Sequence, residues 1–205
     1  PQQMRNIVLL CVNGTGVLNS WLKHNFMGND KTVVSYEHMN ELAAQAPIGS
    51  AGLVMLPYGN GAERLLGNRD ISASVHGWNF NVHTRSHFLR AAQEGIVFAL
   101  NYGFDILRKM GIEVKVARAG DANLFLSPLF GKAFAAVTGA SVELYNTDGA
   151  QGAARGAGIG AGIYKTPGEA FVGLQSTRVI EPDGKLAAAY EAAYQNWIQT
   201  LERQL

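Results

Sequence analysis

Apolar residues along the chain recur with two alternating periods, one typical of buried strands and one typical of helices. The first half predicts two strands and three helices, in the order strand 7–12, helix 17–26, helix 35–46, strand 53–58 and helix 85–110. Thr84 has the residue type of an N-cap and precedes the longest helix. Alternating strands and helices are the pattern of an α/β domain.

The most regular part of the pattern lies between residues 114 and 164. It predicts a strand at 114–117, a sharp turn at 118–123, a helix at 124–138 that Gly139 ends, and a strand at 141–145. A helix that Thr147 or Asp148 could cap then follows. Within that helix, Gly152, Gly156 and Gly160 form one ridge without side chains. Either the helix packs closely on the sheet through this ridge, or a flat ligand lies against it.

The C-terminal part carries a weaker pattern. It predicts a helical turn that begins at Thr166, irregular structure at 171–179, and a turn at 181–184. The last segment, 186–205, has the spacing of an amphipathic helix, which we expect to pack on the outside of the domain. The alternative is that its apolar face binds a partner helix.

Length and composition fit one domain with a full core, since the chain has 205 residues. Its net charge of +1 gives no electrostatic reason to expect nucleic acid or a membrane surface as a partner. Charged residues make up 16% of the chain, below the roughly 25% of an average domain. This deficit suggests a surface that a missing domain or an oligomer, such as a homodimer, would cover.

Cysteine and hydropathy indicate a cytoplasmic protein. Cys11 is the only cysteine, so a disulfide within the chain is excluded, and we interpret it as a small buried hydrophobe. No apolar run approaches the ~18 residues of a membrane span, and the polar start does not resemble a signal peptide. Because the chain starts at Pro1 and leads at once into an apolar run, we expect it to be an excerpt of a longer protein.

Three further stretches each allow a functional and a structural interpretation. The turn at 13–16, Asn-Gly-Thr-Gly, could hold a phosphate through backbone N–H groups, but it lacks the lysine of a P-loop and could be a simple connection. Glu63 and Arg64 favour a local ion pair over catalysis. His83 and His87 have metal-ligand spacing, yet no third ligand accompanies them, which favours a structural hydrogen bond for His87.

The turn at 118–123 also has the position at which α/β domains bind ligands, beyond the carboxyl end of a strand and before a helix. Together with the Gly-Ala-rich segment 149–157, it resembles the second half of the FGGY family of carbohydrate kinases, which includes the xylulose kinases. Further matching residues lie upstream, at Pro57, Tyr58, Gly61, Glu63 and Arg64, and at Ala73, Val75, Gly77, His87, Ala91 and Glu94. Trp78 and Gln93 replace the usual aliphatic residues, and Gly120 is the only glycine of its turn.

The resemblance implies an actin-like ATPase (ribonuclease H-like) domain, with a mixed sheet flanked by helices. Residues 1–205 would be the C-terminal, nucleotide-side domain of a bacterial sugar kinase, without its N-terminal domain and the start of this domain. The implied activity is ATP-dependent phosphorylation of a ketopentose such as D-xylulose. Alternatives are rhamnulose, ribulose, glycerol or gluconate as substrate, a different phosphate ligand bound at 13–16, and a non-catalytic actin-like structural or regulatory domain.

The resemblance also implies the site residues. It places the adenine and ribose of ATP over residues 120–123, with Gly120 and Asn123 in contact and Ala119 and Asp121 beside them. The catalytic Asp would lie upstream of this chain, so we assign no catalytic residue here. The Mg²⁺ site would lie largely outside the chain, and the sugar would bind through the missing N-terminal domain. We therefore expect this fragment alone to be inactive.

Overall fold

A computed structural model describes residues 7–28 and 34–205 of the chain. The helices are α1 (Thr15–Trp21), α2 (Tyr36–Gln45), α3 (Arg85–Lys109), α4 (Pro128–Thr138), α5 (Gly149–Gly160), α6 (Pro167–Ala170) and α7 (Gly184–Glu202). The strands are β1 (Val54–Leu56), β2 (Ser74–His76), β3 (Val116–Gly120), β4 (Ser141–Tyr145) and β5 (Ser176–Ile180). A π-helical segment, Leu22–Met27, continues α1, and short 3₁₀ turns lie at Ile48–Gly52, Arg64–Leu66 and Asn123–Leu126.

The larger sheet is mixed, in the order β3-β4-β5. β3 and β4 are parallel, with Gly120 opposite Tyr145 at their carboxyl ends, and β5 runs antiparallel to β4. β1 and β2 form a separate antiparallel pair. The prediction of irregular structure at 171–179 is wrong where β5 begins, at Ser176. This strand is an edge of the sheet and mostly exposed, so its sequence lacks the alternation of buried apolar residues that β4 has.

The predicted strand at 7–12 is wrong. Residues 7–12 have no strand partner in the described structure, and the side chains of Ile7 and Leu9 are 90% and 66% exposed. An apolar run becomes a strand only when a second strand takes up its backbone N–H and C=O groups. Nothing in the described part of the chain does so. Residues 1–6, on which the expectations about a signal peptide and about an excerpt rest, lie outside the described part of the chain.

The longest helix is confirmed and forms the centre of the domain. The backbone N–H of Thr84 donates to His87 Nδ1 at 3.2 Å, so both ends of a capping box lie at the predicted start of α3. α3 packs against α2, α4, β1 and α7. Within α3, Arg90 forms a buried ion pair with Glu94. Arg90 also donates to the hydroxyl of Tyr190, which connects α3 to α7.

The final helix packs on the domain through one buried face while about half of its residues are exposed, so it is the amphipathic helix that the sequence predicts. Trp197 is 1% exposed, and its Nε1 donates to the carbonyl of Met55 at 3.0 Å. Tyr190, Tyr194 and Leu201 are also buried along α7. A buried aromatic face of this size makes α7 a structural element of the domain, and it leaves little apolar surface for a partner helix.

The glycine ridge of α5 does not pack on the sheet, so that interpretation is wrong. A Cβ added at Gly152, Gly156 or Gly160 would meet no atom of the described chain within 4 Å. By contrast, Gly158 lies directly under the ring of Tyr164. The rest of α5 is mostly exposed. Among the residues that the structure describes, no helix has the length and apolarity that crossing a bilayer requires.

Candidate functional site

The predicted turn begins later than expected, because β3 continues through Ala119 and Gly120. A Cβ added at Gly120 would lie 2.2 Å from the carbonyl oxygen of Thr147, where the connection from β4 to α5 crosses the strand. No side chain fits in that space. Gly120 is therefore required by the packing of two adjacent loops, which is a structural reason distinct from contact with a ligand.

Asp121 fastens the turn to β5. Its backbone N–H donates to the carbonyl of Tyr145 at 2.8 Å. Its carboxylate accepts hydrogen bonds from the hydroxyl of Thr177 at 2.8 Å and from Arg178 Nη2 at 3.0 Å. Arg178 Nη2 also donates to the carbonyl of Phe125, so one guanidinium holds both ends of the turn. The sequence pattern gave no signal for Thr177 and Arg178, because they fall in the strand that it missed.

Asn123 opens the 3₁₀ turn and has a left-handed backbone, with φ of 55°. Asparagine tolerates this conformation better than most residues with a side chain. The polypeptide then enters α4 at Pro128, with Ser127 as the N-cap, so the predicted helix 124–138 begins four residues late. The left-handed residue turns the backbone away from the sheet before α4 starts.

The turn at 13–16 is held by the loop that follows β1. The backbone N–H of Asn13 lies 3.1 and 3.0 Å from the two carboxylate oxygens of Glu63, which is fully buried. The side-chain amide of Asn13 donates to the carbonyl of Ala62 at 3.0 Å. The predicted ion pair of Glu63 with Arg64 is wrong, since no such pair forms in the described chain and the carboxylate serves Asn13 instead.

These two turns, about 110 residues apart in sequence, border one cleft of about 700 Å³. Gly16 and Asn19 of α1 line one side. A second wall is α2, which contributes Tyr36, Glu37, Asn40, Glu41 and Ala44. The third wall runs from Asn123 to Leu129 and is largely apolar. The sequence therefore pointed separately to two stretches that the fold brings to one place.

The chemistry of the lining suits a flat, polar and uncharged group. The side-chain amides of Asn19, Asn40 and Asn123 each offer a donor and an acceptor beside the apolar wall. The lining residues that the structure describes include Glu37 and Glu41 but no lysine or arginine. A phosphate chain usually binds to lysine, arginine or backbone N–H groups. This cleft therefore fits a base with its ribose better than it fits phosphates.

Of the four predicted site residues, only Asn123 lines the cleft. Ala119 and Gly120 end the strand below it, and Asp121 is bound by β5. Asn19 and Asn40 are cleft residues that the sequence reasoning missed. Lone asparagines within helices carry no local signal, and α2 was predicted as a helix with no role assigned.

The two spaced histidines are engaged in hydrogen bonds with other residues of the chain. His83 Nδ1 accepts from the backbone N–H of Asn79 at 2.9 Å, and its Nε2 lies 3.2 Å from the carbonyl oxygen of Ala51. His87 has the structural bond to Thr84 described above, as predicted. Within residues 7–28 and 34–205, no three His, Cys, Asp or Glu side chains converge as a metal site would require.

Comparison with known proteins shows similarity to sugar kinases. No protein-family model matches the chain. The xylulose kinase of Haemophilus influenzae is 30% identical over 178 residues, which cover 83% of this chain and 35% of that protein. The chain thus spans about a third of the length of the curated relatives it matches.

Solved structures show the fold. A ligand-bound xylulose kinase from Lactobacillus acidophilus superposes with a TM-score of 0.73 at 22% identity, covering 94% of this chain and 38% of that one. The glycerol kinase of Plasmodium falciparum, solved with ADP, gives a TM-score of 0.68 at 25% identity, covering 93% and 37%. The chain therefore has the actin-like ATPase fold of these sugar kinases, as expected from the sequence, and the relatives support the resemblance to the carbohydrate-kinase family.

Proposed function

We propose that this chain is the nucleotide-binding half of an ATP-dependent carbohydrate kinase, with the base and ribose of ATP in the cleft between α1, α2 and α4. The observation that carries the proposal is the meeting of Gly16, Asn19 and Asn123 around one cleft. Two stretches that each suggested a nucleotide or phosphate contact from sequence converge there. The relatives named xylulose kinase support the same function.

Different residues of the cleft would contact different parts of the nucleotide. The amide of Asn123 is a candidate for the edge of the base, which needs a donor and an acceptor. The apolar wall at Leu124 and Leu129 would cover one face of the base. Gly120, Ala119 and Asp121 contribute by holding Asn123 in place. When bound, ATP supplies the phosphoryl group to be transferred.

The phosphates and Mg²⁺ would make few contacts with side chains of this cleft. Backbone N–H groups at the start of α1, at Thr15 and Gly16, are candidates for a phosphate because the first N–H groups of a helix lack intrahelical partners. The catalytic base, the sugar site and the main Mg²⁺ ligands would belong to the rest of the protein. Alone, this chain should not turn over a sugar.

For the complete enzyme, we propose a ketopentose such as D-xylulose as substrate, in a cytoplasmic and bacterial setting. Two relatives support this choice, one named xylulose kinase and one named L-xylulose/3-keto-L-gulonate kinase. Other relatives are named gluconokinase, so gluconate is the first alternative to test. A panel of ketopentoses, gluconate and glycerol assayed with the intact protein separates these substrates, and a homodimer would be detected by its mass in solution.

The test of nucleotide binding is a titration of the ¹⁵N-labelled chain with ADP, followed by amide chemical shifts. We expect shifts at Gly16, Asn19, Asn40 and Asn123. Adenosine should bind within a few-fold of ADP, because the lining residues that the structure describes offer phosphates no cationic side chain and include the carboxylates of Glu37 and Glu41. Shifts that appear elsewhere, or none at these four residues at millimolar ADP, would contradict the proposal.

The control variant at Asn123 has to respect its backbone. Alanine would strain a residue with φ of 55° and could weaken binding for that reason alone. Asn123→Gly keeps the left-handed conformation and removes the amide, whereas Asn123→Asp keeps the shape and loses the donor. Both should weaken ADP binding while the spectra of β3, β4 and α4 stay unchanged.

A further inference from the structure

Gln93 is a buried polar residue in the middle of α3, at 3% exposure. Burying a side-chain amide is costly unless both its ends find partners. Both ends do. Its Nε2 donates to Asn40 Oδ1 at 2.9 Å, and its Oε1 accepts from the hydroxyl of Ser127 at 2.8 Å. A single side chain thus connects α2 with the start of α4.

Both partners of Gln93 lie on walls of the cleft. Asn40 belongs to the α2 wall, and Ser127 belongs to the wall that starts at Asn123. The two walls come from segments that precede and follow α3 in the sequence, and both pack on that helix as well as on each other. Gln93 is therefore placed behind the cleft, with one hydrogen bond to each wall.

The bond to Ser127 also reaches the turn that carries Asn123. Ser127 is 2% exposed, and its oxygen accepts from the backbone N–H of Phe130 at 3.3 Å as the N-cap of α4. Its own backbone N–H donates to the carbonyl of Leu124 at 3.0 Å. Because the hydroxyl hydrogen points at Gln93, the lone pairs of the oxygen face the helix. Gln93 thereby fixes the rotamer of Ser127, the residue that joins the 3₁₀ turn to α4.

We propose that Gln93 is a positioning residue that sets the separation of the two cleft walls, and through it the affinity for the base and ribose. The first half of this inference concerns the chain itself. The second half rests on the proposed nucleotide function. Gln93 would act without touching the nucleotide, through Asn40 and Ser127.

The first test measures the width of the cleft without any ligand. Spin labels are placed at Glu37→Cys and Leu126→Cys, two cleft positions with exposed side chains on opposite walls, in a Cys11→Ser background. Gln93→Leu removes both hydrogen bonds at similar volume. We expect the distance distribution between the labels to broaden and its mean to lengthen by on the order of 1 Å or more.

A matched control is Thr200→Val, which removes a buried hydroxyl bonded to Asn196 in α7, away from the cleft. It should lower the melting temperature without changing the distance distribution. If Gln93→Leu does not fold, Gln93→Met serves instead, because its flexible side chain fills the same space without hydrogen bonds. An unchanged distribution in a folded Gln93 variant would overturn the proposal.

The second test measures ADP affinity and the route by which Gln93 acts. Gln93→Leu should weaken ADP binding by roughly tenfold, the equivalent of about one lost hydrogen bond, and Thr200→Val should leave it unchanged. In the distance measurement, Asn40→Leu should add little once Gln93 is already Leu, because the two residues share one bond. Full additivity would contradict action through Asn40. If the wild-type chain fails to bind ADP, the proposed function fails, while the distance measurement still decides the role of Gln93.

Discussion

Replacing Gly120 with alanine should destabilise the domain even when no nucleotide is present. The new Cβ would lie 2.2 Å from the carbonyl oxygen of Thr147 and 3.3 Å from Cα of Asp148. An ordinary contact begins near 3.4 Å, so one of the two backbone segments has to move by more than 1 Å. Neither segment moves freely, because the N–H of Asp121 and that of Thr147 both bind the carbonyl of Tyr145.

We expect the free energy of unfolding to fall by about 1–3 kcal/mol, the usual range for overpacking, and to lie towards its upper end because neither segment relaxes easily. Urea denaturation of the chain, followed by circular dichroism, measures the change. The matched control is Gly156→Ala in the exposed middle of α5, where the added Cβ meets nothing. Alanine is the better helix former, so this variant should gain roughly 0.5–1 kcal/mol.

Changes of opposite sign in the free energy of unfolding of the two alanine variants would distinguish a glycine that packing requires from one that it does not. If the free energy of unfolding of Gly120→Ala lay within about 0.5 kcal/mol of the wild-type value, the reasoning would be refuted. Changes that small are usual for surface positions, where an added Cβ meets no other atom. The result also bears on the site. If Gly120→Ala unfolds the turn, its loss of ADP binding reports on the fold and gives no information on contact with the ligand.

Three further predictions concern polar contacts between elements. Arg178→Ala should release Asp121, raise amide exchange over residues 121–126 and weaken ADP binding, whereas unchanged exchange there would contradict the clamp. Glu63→Ala should lower the free energy of unfolding in urea by about 1–3 kcal/mol, because the backbone N–H of Asn13 loses its acceptor. Glu63→Gln should recover part of this stability, and an equal loss of stability in both variants would refute the prediction. Burial raises the pKa of Tyr190 to about 12, so the stability that its neutral hydroxyl contributes is present below pH 10 and is lost as the pH rises towards 12. Between pH 10 and 12 the melting temperature of Tyr190→Phe should therefore fall less than that of the wild type, and parallel curves of melting temperature against pH would contradict this prediction.

Sequence reasoning succeeded where local chemistry decides the structure. The start of α3 follows from Thr84 and His87, which cap each other. β4 coincides with its predicted range, since its apolar residues Val142 and Leu144 alternate with neighbours that point to the other face, as in a strand, and both are fully buried. Asp148 caps α5 as expected, accepting from the N–H of Gln151 at 2.8 Å. In each case the residues that determine the element lie within it or directly beside it.

Prediction failed where a distant partner decides the structure. Residues 7–12 have the composition of a strand, but pairing is a property of two segments. The amphipathic pattern of α7 predicts the helix and its buried face, but it does not predict the partners of that face, such as the carbonyl of Met55, 142 residues away from Trp197. The glycines of α5 suggested close packing, whereas the described chain leaves the face that they form open.

The candidate site shows the same division between local and distant causes. Asn123 could be found because its turn follows a strand, the usual place for a ligand in an α/β domain. The opposite wall could not, since Asn40 and Gln93 are ordinary helix residues until α2, α3 and α4 pack together. The proposed nucleoside site depends on a set of contacts between elements: Glu63 holds one turn, Arg178 holds the other, and Gln93 spans the walls. Each of these three side chains is polar and linked across more than 30 residues to the segment it orders. Substitutions at these positions should therefore change the cleft before they change the hydrophobic core, and they are the sharpest probes of its function.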